Sequence, residues 1–158
     1  MSLTVYLNGE YLPYEQASLP VEERSFLFAD GVYEVIRVYG GRPFTMPQHL
    51  KRLARSAREI KLPEPNLAEL ETVCQELIRR NELTEATIYV QFSRGSYAPR
   101  AHAFPKGEAK PILLAIARPA SVPAAQFEQG VSAITVPDQR WARCDIKSVS
   151  LLPNILAK

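Results

Sequence analysis

Three groups of residues combine types and spacings suited to chemistry. The first is a lysine, Lys147, in the segment RWARCDIKSVSLLPNILAK at residues 140–158. A lone lysine is ordinarily a solvated surface charge. Here Trp141, Cys144 and the run LLPNILA are flanks of the kind usually buried. An amine held among apolar side chains loses stabilisation of its charge, so its pKa falls and the neutral nucleophile becomes available. Pro153 suits the first turn of a helix, which sets Lys147 just ahead of a helix start. The second group is Arg100 and His102 in APRAHAFP. Two residues apart in extended backbone, they project to the same side. A guanidinium fork with an imidazole donor matches a carboxylate, although on these residues alone a mobile polar loop is the favoured account of the pair. The third is the basic run KRLARSAREIK, with Lys51, Arg52, Arg55, Arg58 and Lys61. Most of it reads as a solvated helix face. One arginine turned inward would suit a phosphate, and the spacing alone does not choose which.

The elements that must position these groups are legible from periodicity. LTVYLNGEYLPY reads as a β-hairpin, with Asn8 and Gly9 able to take the positive φ of a type I′ turn. GVYEVIRVYGGRPF reads as a second hairpin turning at Gly40 and Gly41. On its first strand Tyr33, Val35 and Arg37 share one face, and Glu34, Ile36 and Val38 the other. The period then lengthens. Leu50, Leu53, Ala54, Ala57 and Ile60 line one face of a helix that Pro63 and Pro65 are expected to end. Asn66 followed by Glu69 resembles a capping box opening a second helix, with Val73, Leu77 and Ile78 as its apolar stripe and Cys74 as core. His49 reads as a polar position near a helix start. ATIYVQFSRG is a strand by alternation, and PILLAIAR reads as a strand covered on both faces. SVPAAQFEQ is expected to be a connector and GVSAITVP a further strand.

Composition excludes several classes of function. A formal charge of +2 is too small to suggest nucleic acid or an anionic membrane as main partner. Cys74, Cys144, His49 and His102 lack ligand-like spacing, so no metal site is expected. No stretch reaches membrane-spanning length, and the start has neither a basic n-region nor an apolar h-region. The expectation is a reduced, cytoplasmic α+β protein.

The segments RSFLFADGVYEVIRVYGGRPF, HLKRLARSAREI, SRGSYAPRAHAFP and RWARCDIKSVSLLPNILAK together resemble the class IV aminotransferases, pyridoxal 5'-phosphate enzymes of fold type IV. FADGVYE, HLKRL and the lysine segment are shared with branched-chain aminotransferases and aminodeoxychorismate lyases. The Arg-x-His of Arg100 and His102, with Tyr33, is the pattern of the D-amino acid aminotransferases. The resemblance implies that Lys147 forms the Schiff base with pyridoxal phosphate and that Arg52 binds its phosphate. Tyr33, Arg100 and His102 would then hold the substrate's α-carboxylate. It further implies a homodimer, because in the family the Arg-x-His loop reaches the neighbouring subunit's site. The implied reaction moves an amino group from a D-amino acid, such as D-alanine, to a 2-oxo acid such as 2-oxoglutarate. Another class IV activity, or a non-catalytic N-terminal fragment, is the alternative.

Residues 1–120 are expected to form an N-terminal α+β domain of hairpins and two helices. Residues 121–158 are expected to be a connector and the start of a larger, β-rich cofactor-binding domain. Family members continue for about another domain beyond this point. The chain is therefore expected to be part of a larger enzyme, cut after the lysine segment. The acid facing the pyridine nitrogen and most of the phosphate site would lie outside it, and the apolar helix of LLPNILAK would be left with little to bury it.

Overall fold

Asn8 and Gly9 both take positive φ (49° and 99°), and the turn they make pairs β1 (Thr4–Leu7) with β2 (Glu10–Pro13). This is the computed structural model of the chain, and it describes residues 2–107, 110–121 and 123–158. Glu108 and Ala109 of the basic loop and Val122 of the connector lie outside the described residues. Gly40 and Gly41, at φ 52° and 74°, likewise turn β3 (Gly31–Tyr39) into the short β4 (Arg42–Pro43). With β5 (Ala86–Ser93) and β6 (Ile112–Pro119) these strands form a sheet of order β2-β1-β6-β5-β3-β4. Every neighbouring pair is antiparallel.

Two helices cover one face of the sheet. α2 (Met46–Glu59) packs on β3, and α3 (Leu67–Arg80) packs on β1 and β6. The expected stripes form the core: Leu50, Leu53, Ala54 and Ala57 of α2 are buried, as are Val73, Leu77 and Ile78 of α3. They meet Ile36, Val38, Ile88, Val90, Ala115 and Ala117 from the sheet. Burying each large aliphatic side chain contributes about 1.5–3 kcal/mol. Asn66 caps α3 by accepting the N–H of Glu69 at 3.2 Å. The carboxylate of Glu69 accepts instead from Tyr6 Oη at 2.5 Å, so it ties the helix to β1.

Several local expectations are corrected. α2 ends at Glu59, ahead of Pro63: Lys61 turns at φ 57° and Leu62 N–H closes on Ala57 O at 2.9 Å. β6 is covered by helices on one face only; Leu114 and Ile116 are half-buried on the other, because both helices lie on the same side as Leu113, Ala115 and Ala117. The connector contains a helix, α4 (Ala124–Gln129). Residues 131–137 form no strand: among the described residues no strand or bridge pairs with them. α1 (Arg24–Phe28), too short for a periodic signal, is capped by the buried Glu23, which accepts from Phe26 N–H at 3.0 Å. α5 (Leu152–Leu156) starts at Pro153's turn as expected. Among the described residues no helix is long and apolar enough to cross a membrane.

Candidate active site

Residues 147–149 run antiparallel along the edge of β3. Tyr33 N–H donates to Lys147 O at 3.0 Å, Val149 N–H donates to Gly31 O at 3.1 Å, and Ser148 stands opposite Val32. Residues facing one another across such a pairing share a face. Lys147 and Tyr33 therefore stand side by side, with Nζ 4.2 Å from the centre of the phenol ring, within cation–π range. Gly31 permits the close packing here, because a Cβ would come 3.1 Å from that of Ser93 and 3.2 Å from that of Ser25. The segment is held from behind as well. Ile146 is buried in the core, and Lys147 N–H donates to Ser56 Oγ of α2 at 3.3 Å. Arg55 donates to Asp145 O at 2.5 Å, while hydrogen bonds from Arg143, with a smaller contribution from the charge of Arg55, hold the Asp145 carboxyl below its usual range.

Arg52 lines the same cleft, of about 390 Å³, as Tyr33 and Lys147. Its Nε and Nη2 donate to Glu34 at 2.5 and 2.6 Å, and His49 Nδ1 lies 2.8 Å from the same carboxylate. Glu34 is fully buried on the helix-covered face of β3, and its charge is met by this pairing. Sequence reasoning missed Glu34 as a site residue and left His49 merely polar. The signal was present: a carboxylate alternating with Ile36 and Val38 on an apolar face needs a buried partner. An amine and a guanidinium in one polar cleft are a donor set suited to an aldehyde bearing a phosphate. The bonds to Glu34 use Nε and Nη2, leaving Nη1 outside that pair. These residues fit pyridoxal phosphate.

Tyr33 is braced by Tyr89, stacked at 5.6 Å between ring centres. Burial, with Tyr33 nearby, pushes the Tyr89 phenol up to about 12. Tyr89 Oη donates to Gln91 Oε1 at 2.6 Å, and Gln91 Nε2 donates to Ser25 Oγ at 2.9 Å. Ser25 in turn donates to the buried carboxylate of Glu23, which also accepts from Ser93 Oγ at 2.6 Å.

Arg100 and His102 are brought together on one ring: the guanidinium lies 4.4 Å over Phe28, and the imidazole meets its edge at 5.5 Å. Among the described residues Arg100 pairs with no carboxylate. His102 lines a neighbouring cleft of about 480 Å³ that shares Trp141, Ser148 and Ser150 with the first. Arg100 lines neither of these clefts, so the structure does not bring this pair to Lys147 within one chain. The expected burial of Trp141 and Cys144 is corrected: Cys144 is exposed and Trp141 47% exposed, since no other element of the described residues covers them. Ile155, 67% exposed, shows the apolar surface of α5 left uncovered, as expected for LLPNILAK.

Residues 31–158 match the amino-transferase class IV family. The chain is 44% identical over 155 residues to a D-alanine aminotransferase of Staphylococcus haemolyticus, covering 98% of this chain and 55% of that protein. It is 40% identical over 158 residues to a D-alanine aminotransferase of Listeria monocytogenes, covering 99% of this chain and 55% of the relative. The chain thus spans about half the length of the curated relatives it matches. In shape it is similar to a branched-chain amino acid aminotransferase of Escherichia coli, with a TM-score of 0.70 and 26% identity over 78% of this chain and 41% of the other. A hypothetical aminotransferase from Mycobacterium tuberculosis, in a PLP-bound form, matches with a TM-score of 0.61 and 28% identity over 79% of this chain and 42% of that one.

Proposed function

This chain belongs to the class IV aminotransferases, and on that premise we propose that it works in a pyridoxal-phosphate transaminase that takes the amino group of a D-amino acid such as D-alanine and passes it to a 2-oxo acid. The observation that carries the reading is the cleft in which Lys147 stands against Tyr33 with Arg52 on the same wall. Identity of 44% to a D-alanine aminotransferase supports the choice of substrate.

Each residue has a role under this reading. Lys147 Nζ anchors the cofactor, then takes the proton from the substrate's α-carbon. Pyridoxal phosphate, when bound, supplies the sink for the electrons left on that carbon. Arg52, oriented by Glu34, binds the phosphate. Tyr33, Arg100 and His102 hold the α-carboxylate, so one face of the α-carbon meets the lysine and D is chosen over L. Arg100 lies outside the Lys147 cleft of its own chain, which supports its serving the site of a partner in a homodimer. Residues 1–120 would act as the N-terminal domain and residues 121–158 as the lead into a cofactor-binding domain. Two free thiols are in keeping with a cytoplasmic setting.

The test is the visible absorption of the cofactor-loaded protein before and after addition of D-alanine, with L-alanine and L-leucine as controls. Bleaching by the D-isomer alone is the expected result. A response to L-leucine alone would replace the reading with branched-chain transamination, and absence of colour would remove the cofactor assignment.

A further inference from the structure

The loop that carries Arg100 and His102 has no regular secondary structure of its own, yet a buried ionic cluster touches it at successive residues. Arg24 Nη1 donates to Ala101 O at 2.7 Å and Nη2 to His102 O at 3.4 Å. Its Nε donates to Asp30 Oδ2 at 2.8 Å. Asp30 also receives Arg94 through Nε at 2.7 Å and Nη2 at 3.0 Å. Arg94 then reaches Ile60 O at 2.6 Å and Lys61 O at 3.1 Å, just past the end of α2. Arg24 and Arg94 are each 4% exposed.

The rings complete the clamp. Phe28 takes the Arg24 guanidinium at 4.7 Å and that of Arg100 at 4.4 Å. Phe104 takes Arg94 at 4.2 Å. One carboxylate thus aligns two guanidiniums, and each turns two further N–H groups to backbone carbonyls. Guanidinium is suited to this, being planar, permanently charged and more weakly hydrated than an ammonium.

We infer that Arg24, set by Asp30, is a positioning residue that fixes the placement of Arg100 and His102 for the substrate carboxylate. The inference rests on the reading of that pair as carboxylate-binding. The Arg24 nitrogens are already committed within the protein, so it acts through the loop. A misplacement of about 1 Å at a binding group costs up to about a hundredfold in kcat/KM, so a loop without a ladder of its own gains most from such a clamp.

The test uses Arg24→Gln and, as the milder variant that keeps the charge, Arg24→Lys, each in the cofactor-loaded protein. Hydrogen exchange across residues 97–104 is expected to speed at least about tenfold in Arg24→Gln and less in Arg24→Lys. The KM for D-alanine should rise about tenfold or more, while kcat and cofactor affinity hold within about twofold. The combined loss in Arg24→Gln with Arg100→Ala should be clearly smaller than the two single losses added together, the part that survives being the share carried by His102. Should Arg24→Gln fail to fold, Arg24→Lys supplies the same measurements. Unchanged exchange and KM would overturn the inference, as would a fall in kcat and cofactor affinity at constant KM, or full additivity in the double variant. The two readings separate through Arg100→Ala: if it leaves KM unchanged, the carboxylate assignment fails. If it raises KM while the Arg24 variants do not, only the positioning role fails.

Discussion

Glu34 and Arg52 meet at two points, Nε to Oε1 at 2.5 Å and Nη2 to Oε2 at 2.6 Å, with the carboxylate fully buried and the guanidinium side chain 49% exposed. The asymmetry matters. The buried partner cannot move, so it dictates where the exposed one points. One end of Arg52 is thereby tied to the strand that also carries Tyr33, and the other lines the cleft of Lys147.

Replacing Glu34 by Gln keeps the shape and removes the charge. Stability to denaturant should fall by about 1.5–3 kcal/mol, the range for hydrogen bonds to charged groups. Affinity for pyridoxal phosphate should fall about tenfold, while that for pyridoxal, which has no phosphate, stays the same. Equal losses for both compounds in a fluorescence titration would show that Arg52 does not serve the phosphate.

Borohydride reduction of the cofactor-loaded protein should fix the cofactor on the peptide containing Lys147. In Lys147→Ala the mass increment and transamination should both vanish. Tyr33→Phe keeps the ring beneath Nζ and removes the hydroxyl, so labelling should persist while the KM for D-alanine rises. Peptide mass spectrometry finding the label on another lysine would refute the assignment.

The two thiols should differ sharply toward an aromatic disulfide reagent. Cys144 is exposed, whereas Cys74 is buried in α3 and its thiol is pushed up to about 12 by burial. Attack requires the thiolate. Cys144 should react within minutes at pH 8 and Cys74 only as the protein unfolds. Two equally fast thiols would contradict the packing of α3 on the sheet.

Alkali should loosen the fold before it titrates the buried groups. Burial pushes Tyr6 and Tyr89 from 10.0 to about 12 and Cys74 from 9.0 to about 12. Each is neutral when protonated, so between those limits the folded chain holds protons that the unfolded chain has lost. Their stabilisation is complete below about pH 9 and declines as pH rises toward about 12. Urea midpoints at pH 8, 10 and 11 should fall in that order, with a shallower decline in Tyr6→Phe. A flat profile would mean that these groups are not buried in solution.

Much of the architecture was legible because its causes are local. Asn8-Gly9 and Gly40-Gly41 turn hairpins through a backbone conformation that glycine and asparagine tolerate. The apolar stripes of α2 and α3 and the cap at Asn66 follow from spacing along one helix. The five-residue α1 and the helix in the connector were not legible, since one turn gives no periodicity to read. A strand at residues 131–137 was expected from composition, yet strand formation depends on a partner that composition does not reveal.

The same division holds at the site. By residue type and family pattern, the sequence by itself determined Lys147, Arg52, Tyr33, Arg100 and His102 as the groups to examine, and left open how they would meet. Tertiary structure decided that Lys147 pairs with the edge of β3 beside Tyr33, that Glu34 turns Arg52, and that Arg24 reaches the carbonyl of His102 across 78 positions of sequence. Contacts of this kind depend on the register in which distant segments dock, and register is set by the packing of the whole core rather than by any residue's neighbours in the chain.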